Sequence, residues 1–105
     1  MTFNYQNNGD ILYGIETFRF RYNTDNEVAT VTLYDLIDDK QFAYDIKMTN
    51  KKVPEQLRSL SSTDYELFKK FPNVEFQSFF KNKNEALQNA IDIMSEVMNF
   101  VNQDN

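Results

Sequence analysis

Four carboxylates, Asp35, Asp38, Asp39 and Asp45, are the nearest this chain comes to a reactive cluster. Grouped acids can hold a divalent cation, or divide proton transfer between them as in glycoside hydrolysis. These four lack the alternate-position acids, the glycine turn and the closing glutamate of a calcium-binding loop. Aspartate is favoured in turns on backbone grounds alone, so the expectation is a turn and strand-end role, with no metal ligands assigned. The chain has no histidine and no cysteine. Serine–histidine and cysteine–histidine nucleophiles and the familiar zinc-hydrolase sites therefore have nothing to work with. Gly9 and Gly14 are its only glycines, which excludes a phosphate-cradling loop in its usual form. A non-enzymatic protein without a cofactor is the expectation, and a carboxylate-only enzyme is the least favoured of the open readings.

Charge falls in blocks. Residues 22 to 39 hold Asp25, Glu27, Asp35, Asp38 and Asp39 without a base, and residues 84 to 105 hold Glu85, Asp92, Glu96 and Asp104, again without a base. Lysine and arginine gather instead in residues 40 to 83, with Lys51 and Lys52, Lys69 and Lys70, and Lys81 and Lys83 in small steps. Solvated faces that keep a small domain soluble explain such runs on their own. Two acidic elements would also steer the protein toward a basic partner surface, including one that normally grips nucleic acid. A net charge of −5 argues against duplex DNA as the main ligand. The partner-binding candidates are thus Asp25, Glu27, Asp35, Asp38, Asp39, Asp92 and Glu96, joined by Ile93 and Phe100 from the margin of the last helix.

The elements that must carry these residues follow from hydrophobic period. Phe18, Phe20 and Tyr22 alternate with Thr17, Arg19 and Arg21. Val31 and Leu33 alternate with Thr30, Thr32 and Tyr34, and Phe42, Tyr44, Ile46 and Met48 with Ala43, Asp45 and Lys47. Rings interleaved with arginines also occur on single-strand nucleic-acid platforms, but matched rings at period two are what a sheet needs for its core. Turn-prone residues 23 to 26 and 38 to 40 connect the runs as hairpins. Asn8-Gly9 after Phe3 and Tyr5 marks a further hairpin, so a short fourth strand begins the chain. Residues 1 to 49 are thus read as antiparallel strands.

Pro54 suits the first position of a helix that carries Leu57 and Leu60, and Thr63 with Glu66 has capping-box spacing ahead of Tyr65, Leu67, Phe68 and Phe71. Residues 53 to 71 are read as these short helices, ended by Pro72. Residues 74 to 80 are left between a strand, with Val74, Phe76 and Ser78 inward, and an irregular aromatic plug. The final helix, 84 to 102, is capped by Asn84 and repeats Leu87, Ala90, Ile91, Met94, Val97, Met98 and Val101 on one face. Gln88, Asn89, Asp92, Ser95, Glu96 and Asn99 gather opposite, and Ile93 and Phe100 fall at the edge of the apolar arc. The fold class is α+β, a single domain over residues 1–105: an antiparallel three- to four-stranded meander packed against a long C-terminal α-helix, with short helical turns between.

At 105 residues, one core dominated by ten Phe and six Tyr is expected. The first residues have no basic and apolar leader pattern, and no apolar stretch approaches the roughly 20 residues of a membrane span, so a soluble, cytoplasmic protein is expected. Thirteen Asn, with lysine outnumbering arginine, is the bias of an AT-rich coding sequence. In size, charge and composition the chain resembles the small acidic accessory proteins of phages and other mobile elements, among them inhibitors of host nucleases and anti-CRISPR proteins. The resemblance implies a protein-binding inhibitor that blocks a basic nucleic-acid-handling host protein. Two alternatives stay open: a structural protein that forms a homo-oligomer, a homodimer among the options, or a particle component, and a toxin-neutralising immunity protein.

Overall fold

The computed structural model describes residues 3–12, 14–22, 27–36 and 39–103. Five strands follow one another in space as in sequence: β1 (Phe3–Leu12), β2 (Ile15–Tyr22), β3 (Glu27–Leu36), β4 (Gln41–Met48) and β5 (Ser59–Ser61), all antiparallel. A 3-10 turn (Glu55–Leu57) precedes β5, and two helices follow it, α1 (Tyr65–Lys69) and α2 (Lys83–Gln103). The class is α+β, a meander packed against the C-terminal helix.

Alternation sorts the side chains as the period of two requires. Phe18, Val31, Ile46 and Leu60 form one cross-strand row of the inner face, and Phe20, Ala29 and Met48 another. On the outer face Arg19, Thr30 and Lys47 stand abreast, as do Thr17, Thr32, Asp45 and Ser61. Helix α2 lies over β3 and β4 and buries Leu87, Ala90, Met94, Val97, Met98 and Val101. Val53, between β4 and β5, and Leu67, Phe68, Phe71, Val74 and Phe80, from the segment that links sheet and helix, join the same core.

Several expectations are corrected. Leu60 is not helical: the Ser-Leu-Ser of β5 turns it inward beside Ile46, and after Pro54 only the 3-10 turn forms. Strand pairing continues past β5, because the Ser62 amide donates to the Tyr44 carbonyl and the Tyr44 amide to the buried Ser62 hydroxyl. The cap of α1 is Asp64, whose carboxylate accepts from the Glu66 amide, while the Thr63 hydroxyl pairs with that of Ser61. Helix α2 begins one residue before the expected start. Asn82, not Asn84, accepts from the Glu85 amide at 2.9 Å. Removing that acceptor with Asn82→Ala should cost about 1 kcal/mol in chemical denaturation, and Asn84→Ala should cost less than half of that.

Strand β1 also departs from its expected form, since it runs straight through Asn8-Gly9. Leu12 pairs with Ile15, and the turn between them uses Gly14 at φ 76°, a conformation a side chain would disfavour. The Asn-Gly signal is absorbed instead as a register shift. Four steps of β1, Asn7 to Ile11, span two steps of β2, Phe18 to Glu16. Residues 74 to 80 are an irregular plug rather than a strand. Only Phe80 pairs, exchanging both backbone hydrogen bonds with Phe42 at 2.8 Å, and Phe76 is partly exposed rather than inward.

Candidate functional site

The sequence-derived candidates do not form one patch. Asp25 and Asp38 lie outside the described residues. Glu27 and Asp35 are both exposed but sit near opposite ends of β3, eight residues or about 26 Å apart, with Asp39 in the turn beyond Asp35. Asp35 and Asp45 belong to opposite faces of the sheet by alternation, and Asp45 accepts from the Tyr34 hydroxyl at 2.9 Å. Burial and this contact raise the Tyr34 pKa above its ordinary value. On α2, Asp92 is exposed and Glu96 is half-buried one turn later.

Ile93 is the clear correction among the candidates. It is 0% exposed, because the linking segment joins the sheet in covering α2 and widens the buried arc past the margin that periodicity assigns. Phe100 is 47% exposed. Asn89, expected among the outward polar residues, is likewise buried.

Asn89 organises the region where acidic side chains do converge. The buried Tyr44 hydroxyl donates to Asn89 Oδ1, and Asn89 Nδ2 donates to the Glu75 carbonyl at 3.1 Å. Sheet, helix and linking segment are thereby fixed to one another at a single amide. Around it lies a shallow depression of about 330 Å³ whose lining includes Glu75, Gln77, Glu85, Gln88 and Asp92. Gln88 donates to Asp92 at 3.1 Å and Gln77 to the Phe79 carbonyl at 2.7 Å, which orients two of the walls. No lysine or arginine lines it. The one base of α2, Lys83, is held by Glu16 of β2 at 2.8 Å. Burial, and then the negative charge of Asp92, push the Tyr44 phenol well above its ordinary pKa.

Aromatic surface adjoins these acids. Phe76, between Glu75 and Gln77, is 38% exposed and meets Tyr65 and Phe68 edge-on at 5.1 and 4.6 Å. Tyr65 is 57% exposed, with the Lys69 ammonium 4.8 Å from its ring centre. Periodicity places neither Glu75 nor Phe76, since both belong to irregular chain; for the helix wall, spacing already sets Gln88 and Asp92 on the outward side of α2.

The outer sheet face is chemically different. Thr30, Thr32, Asp45, Lys47, Ser59 and Ser61 surround a depression of about 360 Å³ with mixed charge. Its hydroxyls can exchange hydrogen bonds, but the Asp45 carboxylate is committed to Tyr34 and the Ser61 hydroxyl to Thr63. Among the described residues no three acidic side chains converge as metal ligands, and no helix is long and apolar enough to cross a membrane. No family model matches the chain, and no curated protein or solved structure matches it either.

Proposed function

We propose that the protein is a non-enzymatic inhibitor that binds a larger protein, and that it occupies a basic, nucleic-acid-gripping surface of a host nuclease or CRISPR-type defence effector. The observation that carries this reading is the base-free depression formed by Glu75, Glu85 and Asp92 beside the exposed rings of Phe76 and Tyr65. Acids flanked by partly exposed aromatic rings have the composition of an interface centre: rings supply the anchoring area, and carboxylates select a cationic partner and speed its approach. The Tyr44–Asn89–Glu75 connection supports the same reading, because a preformed surface loses less freedom on binding. The partner-facing residues in this proposal are Glu75, Glu85, Asp92 and Phe76, with Glu96 and Phe100 further along the same helix.

The test is affinity capture from a low-GC bacterium that carries nuclease and CRISPR-type systems, using the native chain and a Glu75→Lys, Glu85→Lys, Asp92→Lys variant. One stoichiometric foreign protein should be held by the native chain at low salt and released at high salt. The reversed variant should bind it at least tenfold more weakly, and the purified partner should lose its nucleic-acid activity when the native chain is added. A partner held equally by both chains, or one whose activity is untouched, sinks the proposal.

A further inference from the structure

Strand β1 is a free margin of the sheet. β2 pairs along one side of it, and among the described residues no strand pairs along the other. The opposite margin, β5, is only three residues long. By contrast β1 has ten residues, and none of them is the lysine, arginine or proline that commonly blunts an exposed edge. Its regular stretch is Phe3–Asn7, before the register shift, and this stretch carries no charge. Tyr5 is at the centre. Its ring stacks on Phe20 at 5.1 Å and meets Phe18 edge-on at 5.8 Å. Both of those rings are buried, yet Tyr5 is 51% exposed. It is the outermost described ring of the inner-face row, on the strand at the sheet margin.

We propose that this margin is taken by a second copy of the chain. The two β1 strands pair antiparallel about a twofold axis at Tyr5, which joins two five-stranded sheets into one continuous sheet. Phe3 then stands opposite Asn7 of the other copy, Asn4 opposite Gln6, and Tyr5 opposite its own counterpart. The occupant is a second copy rather than a foreign strand because the stretch is complementary to itself. Symmetry sets Tyr5 beside its own counterpart as an aromatic cross-strand pair and brings no like charges face to face. The acidic depression is carried by α2, which lies over β3 and β4, so the new contact leaves it open and is separate from the inhibitor proposal. A pairing this short buries less surface than a standard interface, so the dimer is weak and forms as protein concentration rises.

Sedimentation of the full chain between about 5 and 500 µM tests this. The native protein should pass from monomer to dimer. Tyr5→Lys and Tyr5→Glu should each stay monomeric through repulsion across the axis, and an equimolar mixture of the two should regain the dimer. Because both variants retain the acidic depression, their capture of a foreign partner should be unchanged, which separates this result from the inhibitor test. A native chain that stays monomeric throughout overturns the proposal and leaves the edge to a foreign strand. So do variants that dimerise like the native chain, or a mixture of folded variants that does not. If either variant fails to fold, amide exchange on the native chain decides: protection within residues 3 to 7 that grows with protein concentration supports the pairing, and protection independent of concentration overturns it.

Discussion

Ile93→Ala should lower the thermal midpoint by roughly 10–30 °C, whereas Phe100→Ala, seven residues further along the same helix, should change it by no more than a few degrees. Ile93 is wholly enclosed between α2 and the structure beneath it, so truncation removes both the transfer free energy of its outer carbons and their packing partners. The loss is about 2–5 kcal/mol, a large part of the roughly 5–15 kcal/mol that holds a domain of this size together. Phe100 leaves nearly half its surface in water, so little is withdrawn from the core when its ring is removed. Thermal unfolding of the two variants followed by circular dichroism makes the comparison. Equal midpoints would show that Ile93 is not enclosed.

Alkaline conditions should produce the second large effect, through Tyr44. Its phenol is buried against Asn89 and feels the charge of Asp92, and both push its pKa upward, burial the more strongly. In the unfolded chain a tyrosine titrates near 10. Above about pH 10 the unfolded state therefore gives up this proton while the folded state keeps it, so the contribution is complete below pH 10 and is lost as pH rises. One such group takes away about 1.4 kcal/mol per pH unit, or about 3 kcal/mol by pH 12. Urea midpoints measured from about pH 8 to 12 should fall accordingly. Tyr44→Phe should flatten that fall while costing about 1–3 kcal/mol at neutral pH, because Asn89 Oδ1 then loses its donor. Tyr34 shifts in the same direction but is less deeply placed, so the residual slope in the variant should be small. An unchanged slope in Tyr44→Phe would assign the alkaline loss elsewhere.

Periodicity was enough to read β2, β3, β4 and α2, because each repeats its pattern long enough for one face to stand out. It was not enough for β5, whose three residues offer a single inward side chain, Leu60, equally at home in a helical pattern. Asn8-Gly9 misled for a related reason: the pair favours a tight turn locally, but the strand accommodates it by shifting register, and Gly14 takes the turn. The site was less legible than the fold. Asp92 and Glu96 can be placed on the outward side of α2 from their spacing, but Glu75 and Phe76 sit on irregular chain whose position depends on Phe42 and Asn89, far away in sequence. Asn89 itself reads as a solvated helix residue. Only the Tyr44 hydroxyl and the Glu75 carbonyl, brought to it by tertiary folding, make it an interior one. Ile93 fails for the same reason, since the width of a buried arc depends on everything packed around the helix, not on the helix alone.

The position of α2 after all five strands has a consequence during synthesis. Phe18, Val31 and Ile46 leave the ribosome well before the helix that shelters them. From Met48 to Val101, elongation at about 5–20 residues per second leaves a delay of roughly 3–10 s, long against the microseconds in which a hairpin forms. In that interval the nascent sheet presents an uncovered aromatic face and an unpaired margin together, the combination most prone to aggregation. The newborn chain is therefore more open to aggregation than the stability of the finished fold would suggest.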